Sequence, residues 1–384
     1  MRSELSAFTG AVSSELDDPD PDGRTSGWDA LVSWDNLLSS YQKAAQGKRR
    51  APAVARFEFR LGEQLLRLQQ QLTQQTWQPG PYVRFAIHEP KRRVISAAPF
   101  RDRIVHHALM QVIGPRFERS FHPHSFANRV GLGTHRAIEH VSRLARQYPW
   151  ALRLDVQQHF QSVDHALLLD ALRPRIPEPA IWRVVCAIVA SGSEPPGDIP
   201  APLLLPGDDL LSACRPCGLP IGNLTSQSWS NVYMDRLDQF IVRDLGCTAY
   251  ARYVDDMVLL ADDKYTLRAW AEAVRQFAAH RLRLRLHRHS AHAQPCAGGV
   301  PWLGMVVYPT HRLLKSRKVV VATRRLRAAW RDWQLGQTPF DALDAKVQGW
   351  IAHAAHANSW RIRAQVFGSL DLRPPPGQPF PRLH

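Results

Sequence analysis

Residues Ala249 to Ala261 read Ala-Tyr-Ala-Arg-Tyr-Val-Asp-Asp-Met-Val-Leu-Leu-Ala. Apolar and aromatic residues run into Asp255-Asp256 and a second apolar run leads away. That is the pattern of two short strands joined by a tight turn, with adjacent carboxylates at its tip. An isolated Asp-Asp is in general a surface turn that happens to be acidic. Here the flanks (Tyr250, Tyr253, Val254, then Met257, Val258, Leu259 and Leu260) are too apolar for a solvent ribbon, which puts the turn inside a domain. Two like charges held near a core repel each other and lose hydration unless something positive binds them. A divalent metal is the natural partner, since Mg²⁺ wants hard carboxylate oxygens and takes only one or two from any one element. A further carboxylate has to come from elsewhere in the chain.

The segment Trp150-Ala-Leu-Arg-Leu-Asp155-Val-Gln-Gln-His-Phe160-Gln-Ser-Val-Asp164 supplies it. A strand is expected to end at Asp155, and Asp164 to cap the helix that follows. Asp155 precedes Asp255 by 100 residues, so their pairing must be tertiary. Phe160, in the connecting turn, suggests a metal site roofed by an aromatic ring.

The chain of 384 residues is long enough for two or three subdomains around a real core. Its formal charge is +15, and Arg supplies 42 of the 49 basic residues. Arg favours bidentate phosphate contact and stacking on bases, so a nucleic-acid partner leads. A base composition rich in Arg codons explains the Arg bias but not the net charge. Five cysteines without framework spacing fit a reduced, cytoplasmic setting. Cys214-x-x-Cys217 lacks a second ligand pair with zinc spacing and reads as structural or incidental. No basic-then-apolar leader and no run long enough to cross a bilayer stand out, so no membrane partner is expected.

In chain order, residues 1–30 read as a disordered acidic tail. Helices follow over Trp34 to Gln46 and Phe57 to Leu72. Tyr82 to Ile87 and Arg92 to Ser96 alternate as a hairpin, with Lys91, Arg92 and Arg93 at its turn to clasp a triphosphate or a template backbone. An ordinary edge ribbon with solvated charges would read the same. Pro99 to Phe121 is a long helix. Gly131, Gly133 and Thr134 open another, and its exposed amides with Arg129 nearby suit a phosphate; a simple N-cap would look alike. Ile181 to Ala190 is a buried helix, followed by a Pro/Gly/Asp-rich loop to Pro216. Gly218-Leu-Pro-Ile221-Gly222-Asn223-Leu-Thr-Ser-Gln227 is a tight turn entering a helix that runs to about Val242. Asp263 caps a further helix, and Arg281 to His287 alternates as a strand. Trp302-Leu303-Gly304 lies in another hairpin, and three Arg-rich amphipathic helices lead to about Leu370.

In this order the motifs resemble a reverse transcriptase over about residues 31 to 370. Asp155 matches the first palm motif, Gly218 to Gln227 the second, Tyr253-Val-Asp-Asp256 the third and Trp302-Leu-Gly304 the primer grip. More narrowly, Gly-Leu-Pro-Ile-Gly-Asn-Leu-Thr-Ser-Gln and Pro90-Lys-Arg-Arg-Val-Ile-Ser-Ala-Ala-Pro-Phe-Arg-Asp-Arg103 resemble the enzymes of diversity-generating retroelements. Most other reverse transcriptases carry Gln at the place of Ile221 and Pro at that of Gln227. Gln158-His159 also departs from the commoner aromatic or apolar pair, which puts nucleotide handling in question.

The resemblance implies an α+β right-hand polymerase fold with fingers, an antiparallel-sheet palm and a helical thumb. The expected divisions are 31–150 for the N-terminal extension and fingers, 151–310 for the palm with part of the fingers and the primer grip, 311–372 for the thumb, and 373–384 for a Pro-rich tail. It implies RNA-directed DNA synthesis, with Asp155, Asp255, Asp256 and the Val156 carbonyl around two Mg²⁺ ions, Mn²⁺ being a substitute. Lys91, Arg92, Arg93, Phe160, Ile221, Gly222 and Gln227 would face the nucleotide. Arg129, Gly131, Gly133, Asn223, Tyr253, Trp302, Leu303 and Gly304 would face template or primer. Implied partners are a template RNA and its RNA–cDNA hybrid, deoxynucleoside triphosphates and a small basic accessory protein. Copying would be error-prone at adenine. No RNase H, endonuclease or integrase region is expected in what remains, leaving those steps to other proteins. Two other readings stay open: a defence-associated or other bacterial reverse transcriptase, and a non-catalytic RNA-binding scaffold. The three intact aspartates count against the scaffold.

Overall fold

The structure, a computed structural model, describes residues 26–88, 93–192, 205, 208–209, 211–287 and 292–370. The acidic tail up to residue 25, the turn at Lys91 and Arg92, much of the Pro/Gly/Asp-rich loop and the Pro-rich C-terminal segment lie outside them.

Four helices open the chain: α1 (Gly27–Val32), α2 (Trp34–Ala45), α3 (Pro52–Glu58) and α4 (Leu61–Thr73). Ser26 and Ser33 cap the first two by accepting the backbone N–H groups of Asp29 and Asn36. The apolar run from Phe57 is therefore two helices, broken at Phe59–Arg60. A hairpin of β1 (Val83–Ile87) and β2 (Arg93–Ala97) follows, then α5 (Phe100–Glu118). Helix α5 is packed by α1, α2, α3 and α10 (Leu224–Gln239), which is why so many of its positions are buried.

Next come α6 (Thr134–Gln147), β3 (Trp150–Asp155), α7 (His159–Ser162), α8 (His165–Leu172) and α9 (Pro179–Ser191). After α10, the central hairpin is β4 (Tyr250–Tyr253) and β5 (Asp256–Ala261), followed by α11 (Lys264–Leu282) and β6 (Ala293–Pro295). Strands β3 to β6 form one sheet in the order β4-β5-β3-β6, with antiparallel pairing throughout. A second sheet is β7 (Val300–Trp302), β8 (Met305–Val307) and β9 (Arg312–Leu314).

The central strands read as unbroken apolar runs because both faces of their sheet are covered. Side chains alternate across a strand. Leu152, Leu154, Tyr250, Met257 and Leu259 join the large core with α5, α10 and α11. Ala151, Ala249, Ala251, Val258 and Leu260 join a second core with α6 and the β7–β9 sheet. The fold is thus α+β with antiparallel sheets.

One expected strand is absent. Helix α11 runs on to Leu282 and ends at Arg283 in the left-handed region (φ 50°). The rest stays extended, with Leu284 and Leu286 buried, but pairs with the main sheet by a single bridge, Leu286 to Val156. The C-terminal helices are α12 (Ser316–Gln334), α13 (Phe340–Ala355) and α14 (Trp360–Gly368), with small cores of their own around Leu326 and Trp333. Among the described residues no helix is long and apolar enough to cross a membrane, and none of the five cysteines forms a disulfide.

Candidate active site

The antiparallel register sets Asp155 at the end of β3 directly opposite Asp256 at the start of β5. Tyr253 also pairs with Asp256, so the hairpin turn is only Val254–Asp255. Val254 has φ 59°, a conformation that a β-branched residue reaches under strain. Two contacts hold the turn. The Val156 N–H donates to the Asp255 carbonyl at 3.3 Å, and Arg252 Nη1 donates to the Val254 carbonyl at 3.0 Å. Arg252 is fully buried. Its remaining N–H groups reach both carboxylate oxygens of Asp238 at 2.7 and 2.6 Å, Asn231 Oδ1 at 3.0 Å and Ser125 Oγ at 2.8 Å. The turn is thereby anchored to α10.

The carboxylates divide into two environments. Burial, with the Asp155 carboxylate beside it, pushes Asp255 up to about 6, and the charge of Arg93 on β2 works against that shift. Asp256 is raised too, by burial first, but one Arg153 nitrogen bonds both its oxygens at 2.8 and 3.0 Å. Asp155 and Asp255 form a like-charge pair to which, among the described residues, no ion pair is made, and this donor set fits a hard divalent ion. Asp256 lies in the same field: its charge helps raise Asp255, and that of Asp155 helps raise Asp256 in turn. The Asp256 carboxylate is turned to Arg153. Val156 lies beside the pair through its backbone.

Phe160 is half-buried, its carbonyl accepting from the Leu219 N–H at 2.7 Å, which ties the turn after Asp155 to the loop before α10. His159 is buried, with Nε2 2.7 Å from Ser230 Oγ on α10, and burial lowers it to about 3. The unusual Gln158-His159 pair is therefore a joint between α7 and α10, Gln158 supplying the left-handed residue (φ 50°) before the helix. Ile221 is half-buried and Gly222 exposed, and the Ile221 carbonyl accepts from the Ser96 N–H at 3.1 Å. A Cβ on Gly222 would meet Ile95 at 3.0 Å, at a φ of 110° that disfavours a side chain. Gln227 is partly exposed on the first turns of α10.

Several residues expected to face template or primer are committed to the protein. Asn223 is buried, donating to the carbonyls of Ser96 and Pro220 and accepting from the Ala98 N–H. Arg129 pairs with Glu118 at 2.8 Å and bonds three backbone carbonyls. Trp302 is fully buried. These three side chains shape the fold. Leu303 (φ 43°) and Gly304 (φ 91°) form the partly exposed two-residue turn between β7 and β8. Tyr253 OH accepts from Thr134 Oγ1 at 3.0 Å, at the start of α6 next to Gly131 and Gly133 (φ 71° and 129°). Arg93 is exposed at the head of β2; Lys91 and Arg92 are outside the described residues.

Residues 87–307 match the family model described as reverse transcriptase (RNA-dependent DNA polymerase), more than half of the chain. The chain belongs to the reverse transcriptase family. Members of that family are nucleotidyltransferases. The chain is 25% identical to Protein YkfC of Escherichia coli strain K12 over 299 residues, 68% of this chain and 74% of that protein. It is 20% identical to the group II intron-encoded protein LtrA of Lactococcus lactis subsp. cremoris, over 47% of this chain but only 28% of that protein. Among solved structures, apo telomerase from Candida tropicalis, truncated from its C-terminal domain, aligns with TM-score 0.45 at 10% identity, over 64% of this chain and 59% of that one. A partial Cas6-RT-Cas1–Cas2 complex gives 0.40 at 17%, over 70% and 46%.

Within this reverse transcriptase fold, two site residues carry no motif signal in the sequence. Arg153 is one. The other is Lys315, just before α12, whose N–H donates to the Gly304 carbonyl at 3.1 Å. Burial first, then the Arg153 charge, lowers its amine, while Asp256 opposes the shift. Arg252 was visible as a charged residue inside an apolar run, which is a signal for a buried ion pair.

Proposed function

We propose that the chain copies RNA into DNA by nucleotidyl transfer at Asp155 and Asp255. The observation that carries this reading is the half-buried carboxylate pair, Asp255 on a strained turn beside Asp155 on the neighbouring strand. Asp155, Asp255 and the Val156 backbone would hold Mg²⁺, two ions in all with Mn²⁺ as a substitute. When bound, these ions would lower the pKa of the primer hydroxyl and neutralise charge on the triphosphate. Asp256, held by Arg153, orients the site from the side. Arg93, with Lys91 and Arg92 before it, would bind the nucleotide phosphates, and Phe160 would lie under the sugar. The turn at Leu303–Gly304 and Tyr253 would seat the primer end. Residues 31–150 would serve as fingers, 151–310 as palm and 311–372 as thumb. Sequence would come from base pairing, so the protein reads shape and backbone.

The second-motif sequence, with Ile221 and Gln227, favours a diversity-generating retroelement enzyme that errs at template adenine and works with a small basic accessory protein. A near-identical repeat pair in the flanking DNA would separate this from a defence role. The biochemical test is extension of a DNA primer on RNA by the purified protein with Mg²⁺ and deoxynucleotides. Product that depends on RNA, primer and metal together is expected. No extension with either Mg²⁺ or Mn²⁺ would overturn the reading.

A further inference from the structure

Helix α6 buries Ala137, Ile138, Val141 and Leu144 against the second core and turns its other face outward. Arg136, Arg143 and Arg146 lie on that outer face. Together with Arg312 of β9 and the Pro123–Phe126 segment they enclose an open groove of about 520 Å³. Its floor holds aromatic rings: His124 and His140 lie 3.9 Å apart between centroids, and Phe126 is nearly parallel to His124 at 6.4 Å. Burial and its histidine neighbours lower His124 to about 4, so the floor is uncharged at neutral pH.

The rim is where the charge balance fails. Inside the fold, arginines are matched: Arg116 with Glu178, Arg129 with Glu118, Arg252 with Asp238, Arg283 with Asp164. Glu139 lines the same groove, but among the described residues it forms no ion pair with Arg136, Arg143, Arg146 or Arg312, and the rim keeps three net positive charges. The contacts of Arg146 and Arg143 go to the Pro309 carbonyl at 3.2 Å and the His140 ring at 3.4 Å. A solvated surface stripe would be an ordinary explanation for the three helical arginines. It does not explain why a fourth converges on them from β9, across a ring-floored groove of nucleotide size. Four arginines against one glutamate leave the groove net positive, a field that an entering anion relieves. Arginines over aromatic rings are the combination that grips single-stranded nucleic acid, phosphates on the rim and a base on the rings.

We propose that this groove binds a single-stranded stretch of RNA, outside the carboxylate site. It begins near that site, since Thr134 at the head of α6 bonds Tyr253 of the central hairpin. The choice of RNA among polyanions rests on the polymerase reading. The test reads binding rather than synthesis, so the two can fail separately.

The experiment uses the full chain, an Arg143→Gln/Arg146→Gln double variant and a His124→Ala variant. Fluorescence anisotropy measures affinity for a labelled unstructured RNA across a salt series, and thermal unfolding checks the fold. The double variant should bind several-fold more weakly, with the slope of log K against log salt shallower by about 0.7 per lost phosphate contact. His124→Ala should weaken binding without changing that slope. Extension of a minimal primed duplex, with no RNA beyond the copied bases, should stay at the parent rate in both. Unchanged affinity and slope would overturn the proposal and leave the groove to an acidic protein surface. A loss of minimal-duplex extension equal to the loss of binding would also overturn it, by making the arginines part of the primary site.

Discussion

Arg252 and Val254 are joined by a hydrogen bond of 3.0 Å from the buried guanidinium to the carbonyl of the strained turn residue. The same guanidinium grips Asp238 on α10 through both carboxylate oxygens. Left-handed backbone at a β-branched residue persists only where surrounding bonds over-determine it. Arg252 therefore positions Asp255 at one remove. Arg252→Met leaves Asp238 buried and unpaired, and should cost about 3–5 kcal/mol of stability. Arg252→Lys keeps the charge but loses the fork, so it should fold and extend primers slowly, with a raised Mg²⁺ requirement. Adding Val254→Gly, which takes a positive φ without strain, should recover part of that loss. Equal Mg²⁺ dependence in parent and Arg252→Lys enzymes would remove the positioning role.

Two buried histidines make the fold acid-sensitive. Burial lowers His106 and His159 from 6.5 to about 3. Between those pH values the unfolded chain binds more protons than the folded one, so stability rises with pH. The contribution is complete above 6.5 and is lost as pH falls towards 3, with roughly 2 kcal/mol per histidine already lost by pH 5. Urea midpoints at pH 7 and pH 5 measure it. His106→Leu should narrow the gap between them, and an unchanged gap would count against a neutral His106 in the native state.

Much of this was legible beforehand, for physical reasons. The two-sided burial of β3, β4 and β5 left unbroken apolar runs, and Asp255-Asp256 stood out within them because charge in such a run needs a partner. Caps at Asp164 and Asp263 were readable because an N-cap bond is local. What escaped depends on distant residues. Asn223 read as a ligand contact, yet its amide closes onto Ser96 and Ala98 over a hundred positions away. Arg153 bonds Asp256, and Lys315 enters its field, only through folding. Arg281 to His287 alternated correctly in burial, but the left-handed Arg283 and the scarcity of partners left it outside the ladder.

Phe160 gives a prediction about the sugar. It sits in α7, just after Asp155, with its backbone held by Leu219. Phe160→Ala should raise ribonucleotide incorporation relative to deoxyribonucleotide in matched single-nucleotide reactions. Unchanged discrimination would return the ring to a packing role.

Ile221 bears on fidelity. Its carbonyl bonds Ser96, which fixes the loop whatever the side chain, so Ile221→Gln should leave the backbone in place. The amide adds a donor and an acceptor, and one neutral hydrogen bond is worth about 0.5–1.5 kcal/mol, roughly two- to tenfold in selectivity. Misincorporation opposite template adenine should fall more than opposite the other bases, read by sequencing the products of one RNA template. An unchanged adenine share would contradict this assignment.

The central claim is that Asp155 and Asp255 together form the reacting site, and single substitutions of the pair test it most directly. Asp255→Asn removes a charge that burial disfavours, so the thermal midpoint of the metal-free protein should not fall. Asp155→Asn and Asp255→Asn are each expected to lower Mg²⁺-dependent primer extension by about a thousandfold or more, a loss of several kcal/mol of transition-state stabilisation. Binding of the primed RNA should remain near the parent value. Extension by either variant at close to the parent rate would contradict the account.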